Sequence, residues 1–88
     1  MAKQQRRGKY QIWAEILEEC LWSPHTQTRL LHTINLTTAH IKTALTYLVG
    51  RGLLEKIVDE EDSSTYRTTM NGKEALTRYY ELVNEYFG

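Results

Sequence analysis

The stretch TINLTTAHIKTALTYLVGRGLL, residues 33–54, decides how this chain folds. Ile41, Ala44, Leu45 and Leu48 recur at spacings of three and four, the period of a helix with one apolar face. Thr37 can accept hydrogen bonds from first-turn backbone N–H groups, so it predicts the N-cap of a helix over Thr38–Val49. Gly50 and Gly52, on either side of Arg51, end that helix. Upstream, Thr33-Ile34-Asn35-Leu36 is long enough only for a turn. With Ile41, Leu45 and Leu48 facing inward, Ala39, Lys42, Thr43, Thr46 and Tyr47 project outward, His40 lies on a flank, and Thr37 and Thr38 stand at the leading end.

Working outward, Thr26–His32 reads as a short helix that begins near Thr26 or His25 and offers Leu30 and Leu31 to a core. Before it, Ile12, Trp13, Ile16, Leu17, Cys20 and Leu21 mark an amphipathic helix from Tyr10, closed by Ser23-Pro24. Residues 1–9 are polar and basic without a period and read as a flexible arm. Downstream, Leu53–Val58 and Thr65–Met70 carry strand formers, and Asp59–Ser64 between them is turn chemistry, so the three predict a hairpin. After Asn71-Gly72 a last helix runs to about Tyr86, with Ala75, Leu76, Tyr79, Tyr80, Val83, Tyr86 and Phe87 at helical spacing.

Helix, short helix, tight turn, longer helix, hairpin, helix is the order of an α+β, mostly helical, winged helix-turn-helix domain, in which the second helix of the pair enters a DNA major groove and the hairpin is the wing. Asn35-Leu36-Thr37 with Ile41, Leu45 and Leu48, then Arg51-Gly52-Leu53-Leu54, then Tyr66-Arg67-Thr68-Thr69 leading to Gly72-Lys73 carry a resemblance to small archaeal winged helix-turn-helix DNA-binding proteins. Regulators and chromatin proteins with a C-terminal dimerising helix make up that group. The resemblance spans Tyr10 to the end and implies one domain over residues 10–88, with a dimerisation helix over about 71–87. Two features depart from it. The wing tip reads Asp59-Glu60-Glu61-Asp62, which phosphates would repel, and the final helix is shorter than the long coiled coils of the chromatin members.

Charge supports the same reading. Eleven basic and eleven acidic residues cancel over 88, which argues against a general nucleic-acid coat protein. Between Glu19 and Glu55, however, there is no acidic residue, while Arg29, Lys42 and Arg51 and all three histidines fall in that gap. Threonine hydroxyls can bond phosphates or base edges, their methyls can touch thymine, and Lys42 can reach phosphate or guanine. Thr37, Thr38, His40, Lys42, Thr43, Thr46 and Tyr47 are therefore the candidate DNA-binding residues. Arg29 is expected on the backbone, and Arg67 at the base of the wing is a further candidate. Arg6 and Arg7 of the arm are expected on a phosphate track or in a minor groove. The apolar side of the last helix exceeds what this core needs, so Leu76, Tyr79, Tyr80, Val83, Tyr86 and Phe87 are the expected homodimer seam, with help from Ile12 or Trp13. Trp22 is expected to pack beneath the helix pair.

Catalytic and metal patterns do not emerge. Cys20 lies on an apolar stripe and reads as a small buried hydrophobe; with His25 and His32 it matches no familiar zinc spacing and lacks a fourth ligand. No glycine-rich phosphate loop occurs, and the carboxylates of Asp59–Asp62 sit in a turn. The expectation is a cytoplasmic, nucleoid-associated, non-enzymatic regulator without a cofactor, binding double-stranded DNA as a homodimer and not a membrane. The alternatives are a protein-interaction module that uses the acidic wing, and a chromatin protein with little sequence preference.

Overall fold

The computed structural model describes residues 8–87. They form helices α1 (Lys9–Trp22), α2 (Gln27–Ile34) and α3 (Thr38–Gly50), strands β1 (Leu54–Val58) and β2 (Ser64–Thr68), and helix α4 (Met70–Leu82), which runs on into a π-helical turn, Val83–Phe87. This is the α+β winged helix-turn-helix order expected from the sequence: three helices, a two-stranded wing and a C-terminal helix.

Threonines start three of the helices. Thr26 Oγ1 accepts from the Arg29 N–H at 3.1 Å, Thr37 Oγ1 from His40 at 3.3 Å, and Thr69 Oγ1 from Gly72 at 3.0 Å, each satisfying a backbone donor that has no partner within its own helix. Between α2 and α3 the chain reverses at Asn35, whose φ of 64° and ψ of 57° are left-handed, a conformation asparagine tolerates better than most residues. Past α3, Gly52 takes φ of 78° and turns the chain into β1.

One core joins these elements. Ile16 and Cys20 from α1, Leu30 from α2, Ile41 and Leu48 from α3 and Leu54 from β1 are fully buried, with Leu17, Ile34, Leu45, Tyr66 and Leu76 around them. The antiparallel register sets buried Leu54 opposite buried Thr68, and exposed Lys56 opposite buried Tyr66, so the wing is anchored to the core through Leu54, Tyr66 and Thr68 while Val58 and the tip stand in solvent. Polar bonds clamp that base. Thr68 Oγ1 donates to the Leu17 carbonyl at 2.6 Å, and Thr69 Oγ1, besides capping α4, donates to Gly52 O at 2.6 Å.

Several boundaries differ from the sequence reading. Ile34, assigned to the turn, is the last residue of α2 and is buried; the core draws the helix on until Asn35 reverses it. Met70, assigned to the second strand, opens α4 because Thr69 caps the helix there. Trp22, expected beneath the helix pair, is 79% exposed: it ends α1 just where the chain leaves at Ser23 in an extended conformation. Of the two residues offered for the start of α2, Thr26 caps it, and His25 instead pairs its backbone with Tyr66, donating to the Tyr66 carbonyl at 3.1 Å and accepting from its N–H at 2.8 Å, which adds a short third rung to the wing.

Candidate nucleic-acid interface

Helix α3 is seated by Ile41, Ala44, Leu45 and Leu48, all buried, and these fix its rotation. The opposite side therefore faces solvent as a unit. Thr37, Thr38, Ala39, His40, Lys42, Thr43, Thr46 and Tyr47 are all exposed. Lys42, Thr43, Thr46 and Tyr47 line a shallow depression of about 450 Å³. No carboxylate lies on the helix, and the four side chains present an ammonium, hydroxyls, methyls and an aromatic ring, a set that can meet both phosphates and base edges.

Tyr47 is not a free outward ring. Its face stacks on Trp13 of α1 with ring centroids 4.3 Å apart and planes 12° from parallel, and Tyr10 meets Trp13 edge-on at 5.4 Å. Trp13 is thereby committed to α3. The Arg51 guanidinium lies 5.4 Å from the Tyr47 ring centre. Helical periodicity points Tyr47 outward correctly, but it carries no signal for the helix that lies against it.

The remaining candidates fall in different places. Arg29 is exposed in the first turn of α2, on the helix that precedes α3. Arg67 is exposed on β2, but its Nε and Nη2 converge on Glu55 Oε2 at 2.9 and 2.6 Å, so its charge is already opposed across the strands. Arg6 and Arg7, with the rest of the arm up to residue 7, lie outside the described residues. The acidic wing tip has a defined turn. Asp59 Oδ1 accepts from the N–H groups of Glu61 and Ser63, both at 2.9 Å, and Asp62 takes φ of 65°.

On α4 the expected seam divides. Leu76 is only 6% exposed and packs inside the chain's own core, so it is withdrawn from the seam. Tyr79 and Val83 are half-buried, Tyr80 is exposed, and Tyr86 and Phe87 stand out at 70% and 76%. Between α4 and the start of α1, Tyr10, Gln11, Tyr79, Leu82, Val83 and Phe87 line an open cavity of about 570 Å³. Tyr10 and Leu82 were missed in the sequence. The π-helical turn after Leu82 changes the angular step between side chains, so a strict α-helical period misplaces the end of the stripe. Tyr80 Oη donates to Glu18 Oε1 at 2.5 Å, and that bond holds the phenol proton, raising its pKa to about 12.

Cys20 and His25 are neighbours in the core but are arranged unlike metal ligands. Burial, reinforced by the nearby Glu19 charge, pushes the Cys20 thiol up to about 12, away from the thiolate a metal requires. The His25 Nδ1–H donates to the Ser23 carbonyl at 2.7 Å, and Nε2 lies 3.5 Å from Glu19 Oε1. His32 is exposed on α2. No group of three or more metal-ligating side chains is gathered among the described residues. None of the described helices is long and apolar enough to cross a membrane.

A protein-family model described as winged helix-turn-helix matches residues 6–86. Among solved structures, the transcriptional regulator BldR from Sulfolobus solfataricus superposes with a TM-score of 0.76 at 23% identity, over 83% of this chain and 54% of that one. The adhesin competence repressor AdcR from Streptococcus pyogenes gives 0.72 at 21% identity, over 84% and 56%. MepR of S. aureus, solved as a complex with DNA, gives 0.72 at 16% identity, over 90% and 65%. The chain thus spans about half to two thirds of the length of these structures, and at such identities the likeness is one of fold. No curated protein matches it in sequence.

Proposed function

The chain belongs to the winged helix-turn-helix family, and on that premise we propose that it is a transcriptional regulator that reads double-stranded DNA as a homodimer, without catalysing a reaction. The observation that carries the reading is the outer side of α3. It is a rigidly seated, carboxylate-free surface in which Thr37, Thr38, Lys42, Thr43 and Thr46 are all exposed. In this reading α3 enters the major groove, Lys42 and the threonines meet base edges and phosphates, and Arg29 meets the backbone where α2 crosses it. The similar structures named as a transcriptional regulator and as a repressor, and MepR, solved as a complex with DNA, support the assignment.

Two copies would join through Tyr79, Tyr80, Val83, Tyr86 and Phe87 with Tyr10 and Leu82. These form the apolar surface that the chain's own core leaves uncovered, and self-association would set the distance between two half-sites. Neutral net charge favours sequence preference over a chromatin-type coat, since a coat draws most of its affinity from excess cations. The acidic wing tip favours a second reading, a module that binds a basic protein partner.

One experiment separates them. Bound duplexes are selected from a randomised pool at two salt concentrations, with Lys42→Ala and Thr43→Ala variants alongside and sedimentation to give the oligomeric state. A two-fold-symmetric sequence enriched by a dimer and lost in both variants is the expected result. Absence of salt-resistant binding to any duplex would overturn the proposal and leave the protein-interaction module as the better account.

A further inference from the structure

Two cations sit against the aromatic stack that joins α1 to α3. The Arg51 guanidinium lies 5.4 Å from the Tyr47 ring centre, and the Lys9 ammonium lies 5.7 Å from that of Trp13 and 5.6 Å from that of Tyr10. Both residues are exposed, and neither forms an ion pair with a described carboxylate. Arg67 and Arg78, by contrast, are bound to Glu55 and Glu74. We propose that Lys9 and Arg51, held on the Trp13–Tyr47 stack, form a phosphate-contacting patch that takes the DNA backbone beside α3, with Trp13 as the residue that positions it. The inference rests on the DNA-reading assignment above.

Helical spacing places the patch. Thr43, Tyr47 and Arg51 follow one another at intervals of four, so Arg51 prolongs the row that Thr43 and Tyr47 begin on the exposed side of α3. Tyr10, edge-on to Trp13, also lines the apolar cavity against α4. The two cations therefore stand between the α3 surface and the surface assigned to self-association. In a two-fold complex that position faces the backbone between the half-sites.

The chemistry suits a phosphate. A guanidinium resting on a ring keeps its N–H edge free to donate, and the ring fixes a side chain that would otherwise lose much rotamer freedom on binding. Trp13 touches no DNA in this arrangement. It supplies the surface against which Tyr47 lies flat, and Tyr47 in turn holds Arg51.

The test is a titration of a duplex with the wild-type chain and four variants over a salt series, following the slope of log K against log salt. Arg51→Gln and Lys9→Gln are each expected to reduce that slope by about 0.9, as when one fewer phosphate is neutralised. Trp13→Leu keeps both cations but removes the ring, and its slope is expected to fall as in Arg51→Gln, whereas Trp13→Phe restores it. Weakened packing alone would lower the melting temperature without this change of slope. If Trp13→Leu does not fold, the two glutamine variants decide. Wild-type binding with unchanged slopes in both glutamine variants overturns the patch and leaves the DNA-reading assignment standing; failure of the wild type to bind any duplex overturns both. A Trp13→Phe variant no better than Trp13→Leu, where both fold, removes the positioning role.

Discussion

Helix α3 and the wing stand side by side in this fold, and here they are built on opposite principles. Four apolar residues seat α3, leaving a solvent side of hydroxyls and one ammonium with no carboxylate. The wing is clamped at its base by hydrogen bonds from Thr68 and Thr69 and by the backbone pairing of His25 with Tyr66. Its tip carries four consecutive carboxylates, and its one arginine is spent on Glu55. Rigid seating can thus serve opposite surfaces, and what each element can bind is set by the residues left outside.

The largest expected effect comes from breaking the clamp. A Cβ on Gly72 would stand 2.1 Å from the Leu53 carbonyl oxygen and 2.7 Å from Thr68 Cγ2, and the nearer of these is backbone that cannot swing away. Gly72→Ala should gain up to about 1 kcal/mol of helix propensity but lose about 3 kcal/mol or more to overpacking. A fall in Tm of more than roughly 10 °C is expected for a domain this small. Thermal unfolding followed by circular dichroism measures it. Melting at the wild-type temperature would mean that the wing base opens freely and is not clamped.

A smaller effect tests the charge contrast. Replacing Glu60 and Glu61 with lysine should raise affinity for duplex DNA on the order of tenfold in dilute buffer, about 1.4 kcal/mol. The gain should vanish near 1 M salt, where the Debye length is only about 3 Å. An unchanged affinity in dilute buffer would place the tip beyond reach of the duplex. A weaker complex would break the contrast, because the carboxylates would then be making contacts of their own.

The α3 side of this contrast was legible in the sequence because a helical period separates inward from outward residues without reference to the rest of the fold. The Thr37 cap was legible for the same local reason, whereas Thr69, read as part of a strand, caps α4. What escaped depended on partners distant in the chain. Leu76 and Tyr79 belong to one apolar stripe, and periodicity does not say that the first meets the core while the second borders an open cavity. The Trp13–Tyr47 stack joins residues 34 positions apart on two helices whose packing no local pattern encodes. His25 joins the wing through backbone atoms alone, which leave no trace in side-chain identity. Trp22 was expected beneath the helix pair, yet it is the last residue of α1 and stands exposed where the chain leaves in an extended conformation.

Arg67 illustrates the same limit and yields the smallest effect. Its placement at the base of the wing was readable, but its opposition to Glu55 follows from strand register. Both side chains are about half exposed, so Glu55→Gln should cost less than about 1 kcal/mol of stability. Freed of its carboxylate, Arg67 can turn to a phosphate, and affinity for a duplex should rise about two- to threefold with up to about 0.9 added to the salt slope. Arg67→Gln in the wild-type background should change affinity by less than about twofold, because the charge it removes is already opposed. Combining the two substitutions should cancel the gain. If Glu55→Gln instead leaves the slope unchanged while the protein stays folded, the base of the wing lies off the DNA as well as its tip, and α3 carries the contact without the wing.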